Sequence, residues 1–154
     1  MFEAITAQGG VVNQMIGDGL MAIFGAPRAL DEAPLAAVRA AHNMIEIIGL
    51  LNVERQAEGK PALVIGIGIG IGSGEVIAGY TGTQARANYT CIGDTVSLAA
   101  WLEAHTQQAG QPVLLCGDTT AALAGRLPLQ PLGEVLFKGK RAPVVVLALG
   151  HLPR

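Results

Sequence analysis

The run IGIGIGIG, residues 65 to 72, constrains the fold more tightly than any other stretch of the chain. Ile65, Ile67, Ile69 and Ile71 alternate with Gly66, Gly68, Gly70 and Gly72, a period of two that an extended strand turns into two distinct faces. One face is branched and apolar, and the other carries no side chains. Glycine inside a strand weakens it unless something must come close, so the bare face is expected to receive another backbone or a helix. The same glycines invite a phosphate-loop reading, which fails on spacing. No register gives glycine at i, i+2 and i+5, and no Gly-Lys-Ser/Thr follows. GEVIAG, residues 74 to 79, reads as the second strand of a pair with this one, and YTGTQARAN, residues 80 to 88, as a polar loop.

Helical patterns surround this strand. MFEAITAQG reads as the end of a helix closed by Gly9 and Gly10. DEAP, residues 31 to 34, sets acids and a proline at a helix start, and Leu35, Val38, Met44, Ile45, Ile48 and Leu51 then recur at helical spacing towards Gly59. A third helix is expected from Thr95 to Gln107, with Val96, Leu98, Ala99 and Leu102 on its apolar side. PVLLC, residues 112 to 116, is a short buried strand, followed by a helix in which Asp118 is the candidate N-cap. Two final strands are expected to meet at residues 138 to 142. Strands and helices mix without strict alternation, which predicts an α+β sandwich, one mostly antiparallel sheet with helices on one face.

With 154 residues and 51% hydrophobic content, the chain is long and apolar enough for one well-buried core. Its net charge is -2 with three lysines, so no basic stripe exists to hold nucleic acid. No uncharged run reaches the ~18 apolar residues of a membrane span, and the N-terminus lacks the features of a signal peptide, so a cytoplasmic location is expected. Cys91 and Cys116 have no CxxC spacing and do not cluster with His42, His105 or His151, which argues against a disulfide framework or a zinc site.

One carboxylate stands out. In VVNQMIGDGLMAIFGAP, residues 11 to 27, Asp18 sits between Gly17 and Gly19 with apolar runs on both sides, the pattern of a β-hairpin with an acid at its tip. Two readings of those residues stand. Aspartate is a common turn residue because its side chain bonds the local backbone; alternatively, flanking glycines clear the turn so that a hard cation or a polyphosphate can approach the carboxylate.

MIGDGLMAIFGAP, GIGIGSGEVIAG, YTCIGDTVSLAAWLE and LGEVLFKGKRAPVVVLAL, in this order, resemble the class III nucleotide cyclase catalytic domain, the adenylyl and guanylyl cyclases. The resemblance implies a ferredoxin-like, cyclase-type α+β domain over residues 1–150, incomplete at its N-terminus because it lacks the first strand, with 151–154 as a tail. It implies a head-to-tail homodimer, or a heterodimer with another cyclase domain, that binds ATP or GTP at the interface. The family reaction gives 3',5'-cyclic nucleotide and pyrophosphate by two-metal catalysis with Mg2+ or Mn2+.

Carried across residue by residue, the resemblance makes Asp18 the second of two metal-binding aspartates. The first belongs on the strand that precedes the opening helix, and Glu3 does not replace it. Gln14 and Thr90 stand at the purine-selecting positions usually held by lysine and aspartate. Ser97 replaces a ribose-orienting asparagine, and Trp101 replaces the transition-state arginine. An indole has one donor and no charge, so Trp101 does not reproduce a guanidinium fork. Lys138, in FKGK, matches the lysine that contacts the triphosphate. These departures predict a cyclase-family domain that is inactive or severely impaired; the alternative is a catalytically dead dimerisation or regulatory module in cyclic nucleotide signalling.

Overall fold

The computed structural model describes residues 1–61 and 66–150. Its elements in chain order are α1 (Phe2–Thr6), β1 (Val11–Ile16), β2 (Gly19–Ile23), α2 (Ala33–Ala57), β3 (Ile69–Ile71), β4 (Ile77–Thr83), β5 (Arg86–Ile92), α3 (Asp94–Ala109), β6 (Val113–Cys116), α4 (Gly117–Leu123), β7 (Leu129–Val135) and β8 (Val144–Leu149). Ile65 and the tail at 151–154 lie outside the described residues.

The glycine face of β3 has the expected neighbour. Gly72 lies against Thr95 and Ala99, Gly70 against Ala99, Leu102 and Glu103, and Gly68 against Glu103 and Thr106. Two residues of strand, about 6.6 Å, advance roughly as far as one helical turn of about 5.4 Å. Helix α3 therefore runs antiparallel to the glycine row and settles directly on it. A Cβ added at Gly70 would overlap the backbone oxygen of Ala99 and the amide nitrogen of Glu103. The isoleucine face turns the other way, where Ile71 packs with Leu35, Val38 and Ala41 of α2, Val113 and Leu115 of β6, and Leu123 of α4.

The central sheet has the order β3-β6-β8-β7, with β3 parallel to β6 and the other two pairs antiparallel. The α+β, cyclase-type class is as expected, but the coverage of the sheet is not. Val113 and Leu115 face α2 and α4, while Leu114 and Cys116 face Leu98 and Leu102 of α3. Helices thus cover both faces, because all four residues of β6 are buried and leave no face for water.

Three further expectations are corrected. Instead of one sheet, the described residues form the four-stranded sheet and two separate two-stranded ladders, β1-β2 and β4-β5. GEVIAG does not pair with the glycine-rich strand: β4 pairs with β5 from Ile77↔Ile92 to Thr83↔Arg86, and this ribbon absorbs most of the segment read as a polar loop. Its polar residues stand on a ladder that solvent reaches, where no apolar alternation marks a strand. Asp118 is not the cap of α4, since Cys116 holds that position and Asp118 falls in the first turn, near the positive end of the helix dipole.

Candidate functional site

The hairpin forms as expected. β1 and β2 pair from Val11↔Ile23 to Ile16↔Gly19, Gly17 takes φ +59°, and Asp18 is exposed at the tip. Asp18 makes no hydrogen bond or ion pair with the described residues, so the local-backbone role of a turn aspartate is not the one it plays. A feature invisible in the sequence precedes it. Val12 pairs with Ala22 and Gln14 with Met21, leaving Asn13 as the extra residue of a bulge that re-aims the strand. Gln14 is exposed beyond that bulge, and Asn13 Oδ1 is buried with no partner among the described residues.

Thr90 lies on β5 opposite Gly79, half-buried, with its hydroxyl 2.9 Å from that of Thr81. Strand β1 packs beside β5, so the elements carrying Gln14 and Thr90 are neighbours. Next to Thr90, burial pushes the Cys91 thiol up from its ordinary range and keeps it protonated as a small apolar filler.

Helix α3 carries the next two positions. Ser97 is exposed near its start, and Trp101 sits one turn on, half-buried. The indole stacks on Phe137 at 6.0 Å between centroids and 14° between planes. His105, a further turn along, meets the same ring edge-on at 5.7 Å and 89°. Trp101 also lies 4.0 Å from where a Cβ on Gly139 would stand, so the indole lies beside both neighbours of Lys138 while the Lys138 side chain stays exposed. The structure therefore gathers Trp101, His105, Phe137 and Lys138 into one patch, and leaves Asp18 and Gln14 on one ladder and Thr90 on another. Sequence reading missed Phe137 and His105 as members of this patch. The i, i+4 spacing of Trp101 and His105, and the adjacency of Phe137 to Lys138 in FKGK, are the signals that link them in pairs.

The donor set does not enclose a cation. Among the described residues no group of three His, Cys, Asp or Glu side chains comes together, and Asp18 offers one carboxylate where a hard cation requires six or more oxygens in all. Two open hollows, of about 220 and 330 Å3, lie at the start of α2 and between α1 and α2; neither is lined by any of the predicted site residues. No described helix is long and apolar enough to cross a membrane.

The family of the adenylate and guanylate cyclase catalytic domain matches residues 2–149. The chain belongs to this family. Adenylate cyclase 1 of Rhizobium meliloti is 31% identical over 138 residues, which cover 90% of this chain and 20% of that protein. The adenylate cyclase of Anabaena cylindrica is 37% identical over 119 residues, 75% of this chain and 22% of that protein. The crystal structure of the adenylyl cyclase CyaB from P. aeruginosa superposes with a TM-score of 0.85 at 26% identity, covering 99% of this chain and 77% of that one. This cyclase domain spans about a fifth of the length of these two curated relatives.

Proposed function

We propose that residues 1–150 form a nucleotide cyclase domain that binds ATP or GTP against a second cyclase domain, another copy or a homologue, and that residues 1–154 alone are inactive or severely impaired in forming cyclic nucleotide. The observation that carries this reading is the packing of Trp101. Its ring is committed to Phe137 within its own protomer, at the helix position where the family pattern calls for a cation facing the phosphate. Lys138 beside it keeps a free ammonium for a triphosphate oxygen, and a charge-assisted bond of that kind holds substrate without replacing a guanidinium fork. Gln14 and Thr90 supply polar edges for a purine. Binding without efficient turnover follows. A module that dimerises and regulates a partner in cyclic nucleotide signalling is the limiting case of the same reading, and the packed indole favours it.

A second domain is supported by the β4–β5 ribbon. Ile77 and Ile92, 72% and 57% exposed, are a cross-strand pair on one face of a two-stranded ladder that is marginal in water by itself, and Tyr80, 72% exposed, lies on the other face. Sedimentation of the 154-residue chain should show self-association in the micromolar range, and Ile92→Asp should shift it to monomer. Monomer alone at high micromolar concentration overturns the dimer.

Divalent metal, which the family uses for its chemistry, would find one protein ligand in Asp18. Weak Mn2+ binding is expected, because one carboxylate leaves such an ion largely hydrated. Titration of Mn2+ against the native chain and Asp18→Ala should show a weaker signal in the variant, and equal binding removes Asp18 from this role.

A further inference from the structure

Among the described residues the β4–β5 ribbon joins no larger sheet, yet its root is fastened at two points. Residues 72 to 76 lead from β3 into β4. On one side of this segment the Ser73 hydroxyl lies 2.7 Å from Thr119 Oγ1, a fully buried atom on α4. The same Thr119 hydroxyl lies 3.3 Å from the Ile71 carbonyl, to which it can donate, and 3.3 Å from the Cys116 thiol, so it ties residue 73 to the ends of β3 and β6. On the other side the Thr95 hydroxyl, in the first turn of α3, donates to the carbonyl of Glu75 at 3.0 Å. A Cβ at Gly74 would come within 2.6 Å of Thr95 Oγ1, so the segment lies flush on α3.

We infer that Ser73, Thr119 and Thr95 are positioning residues: a strap of two hydroxyl links, one to α4 and one to α3, sets the angle at which the β4–β5 ribbon leaves the core. That angle fixes where the cross-strand pair Ile77 and Ile92 presents itself to a second domain, and where Thr90, on the same face of the ribbon, stands relative to Ser97 on the helix held by the same link. The inference rests on the reading that this ribbon meets the second domain.

The test compares Ser73→Ala/Thr95→Val with the native 154-residue chain. Ser73→Ala is used in preference to a Thr119 variant because Thr119 also serves the Ile71 carbonyl inside the core. Thr120→Val is the control, since it removes a hydroxyl bond to Cys116 O, 3.1 Å long, from the same helix without touching the strap. Amide hydrogen exchange is followed separately at 77–92 and at 113–116, and self-association by sedimentation. The double variant should raise exchange in the ribbon and weaken self-association, each by about tenfold, the scale of one to two neutral hydrogen bonds. Exchange at 113–116 should stay unchanged, and the control should move neither readout. Exchange that rises equally in both segments shows a general loss of stability and overturns the strap, as does no change in the ribbon. Faster ribbon exchange with unchanged self-association confirms the strap and overturns the reading that the ribbon is the interface.

Discussion

Gly70→Ala is expected to destabilise the domain by about 3 kcal/mol or more, at or beyond the top of the usual range for an overpacked core. The added methyl would meet the backbone of Ala99 and Glu103 and stand 2.8 Å from Leu102 Cβ. Side chains at a tight contact can rotate away, whereas a helical backbone cannot yield without moving the helix. Displacing α3 opens the cluster in which Leu98 and Leu102 pack on Leu114, Cys116, Val146 and Ala148, so one methyl group disturbs a whole face of the sheet. Against a typical domain stability of about 5–15 kcal/mol, that loss is a large fraction of the total. Gly66→Ala is the internal comparison, because it lies in the same alternating run but nothing among the described residues stands within 4 Å of its Cβ position. It should be neutral, or slightly stabilising through reduced freedom of the unfolded chain. Urea denaturation of both variants checks this; equal midpoints would show that α3 does not seat on the glycine row.

This contrast also marks what a sequence of this kind reveals. Alternation of Ile and Gly announces two faces and a close neighbour, because both signals are local. It does not name the neighbour or the pairing partner, and β3 pairs with β6, across β4, β5 and α3. PVLLC lacks alternation, as a strand covered on both faces does, whereas the mixed order of strands and helices predicts helices on one face only. The β4–β5 ribbon escaped because solvent-exposed strands carry no apolar period. At the site, Asp18 at a hairpin tip was legible from Gly-Asp-Gly and its flanks. The bulge at Asn13 was not, since no residue type marks it, and neither was the stack of Trp101 on Phe137, which exists only once α3 and the segment after β7 are packed together.

The largest functional effect is expected when the α3 positions are repaired in a mixed dimer. Alone, residues 1–154 should yield no measurable cyclic AMP or cyclic GMP from ATP or GTP with Mg2+ or Mn2+. On the proposed function, pairing with a homologous cyclase subunit would create two composite sites, one with the partner's metal-binding acids and this chain's Ser97 and Trp101, the other with Asp18 as this chain's contribution. If the partner's own transition-state arginine is replaced by alanine, neither site has a guanidinium and the mixture should be silent. Ser97→Asn/Trp101→Arg should then restore turnover in the first site only, by at least about 10² to 10³, the scale of one preorganised donor at developing charge. Trp101→Lys should recover less, because a point charge lacks the fork that grips two phosphate oxygens. The Trp101 changes also give up the stack on Phe137, so thermal unfolding of each variant is needed to separate lost folding from lost chemistry. Gains from the two substitutions need not multiply, since residues that act on one transition state are coupled. A repaired chain that pairs with the partner and still gives no turnover would place the defect outside α3. Robust activity of the unmodified 154-residue chain, purified free of host cyclase and abolished by Asp18→Ala, would show that a group other than the one at Trp101 carries the missing charge.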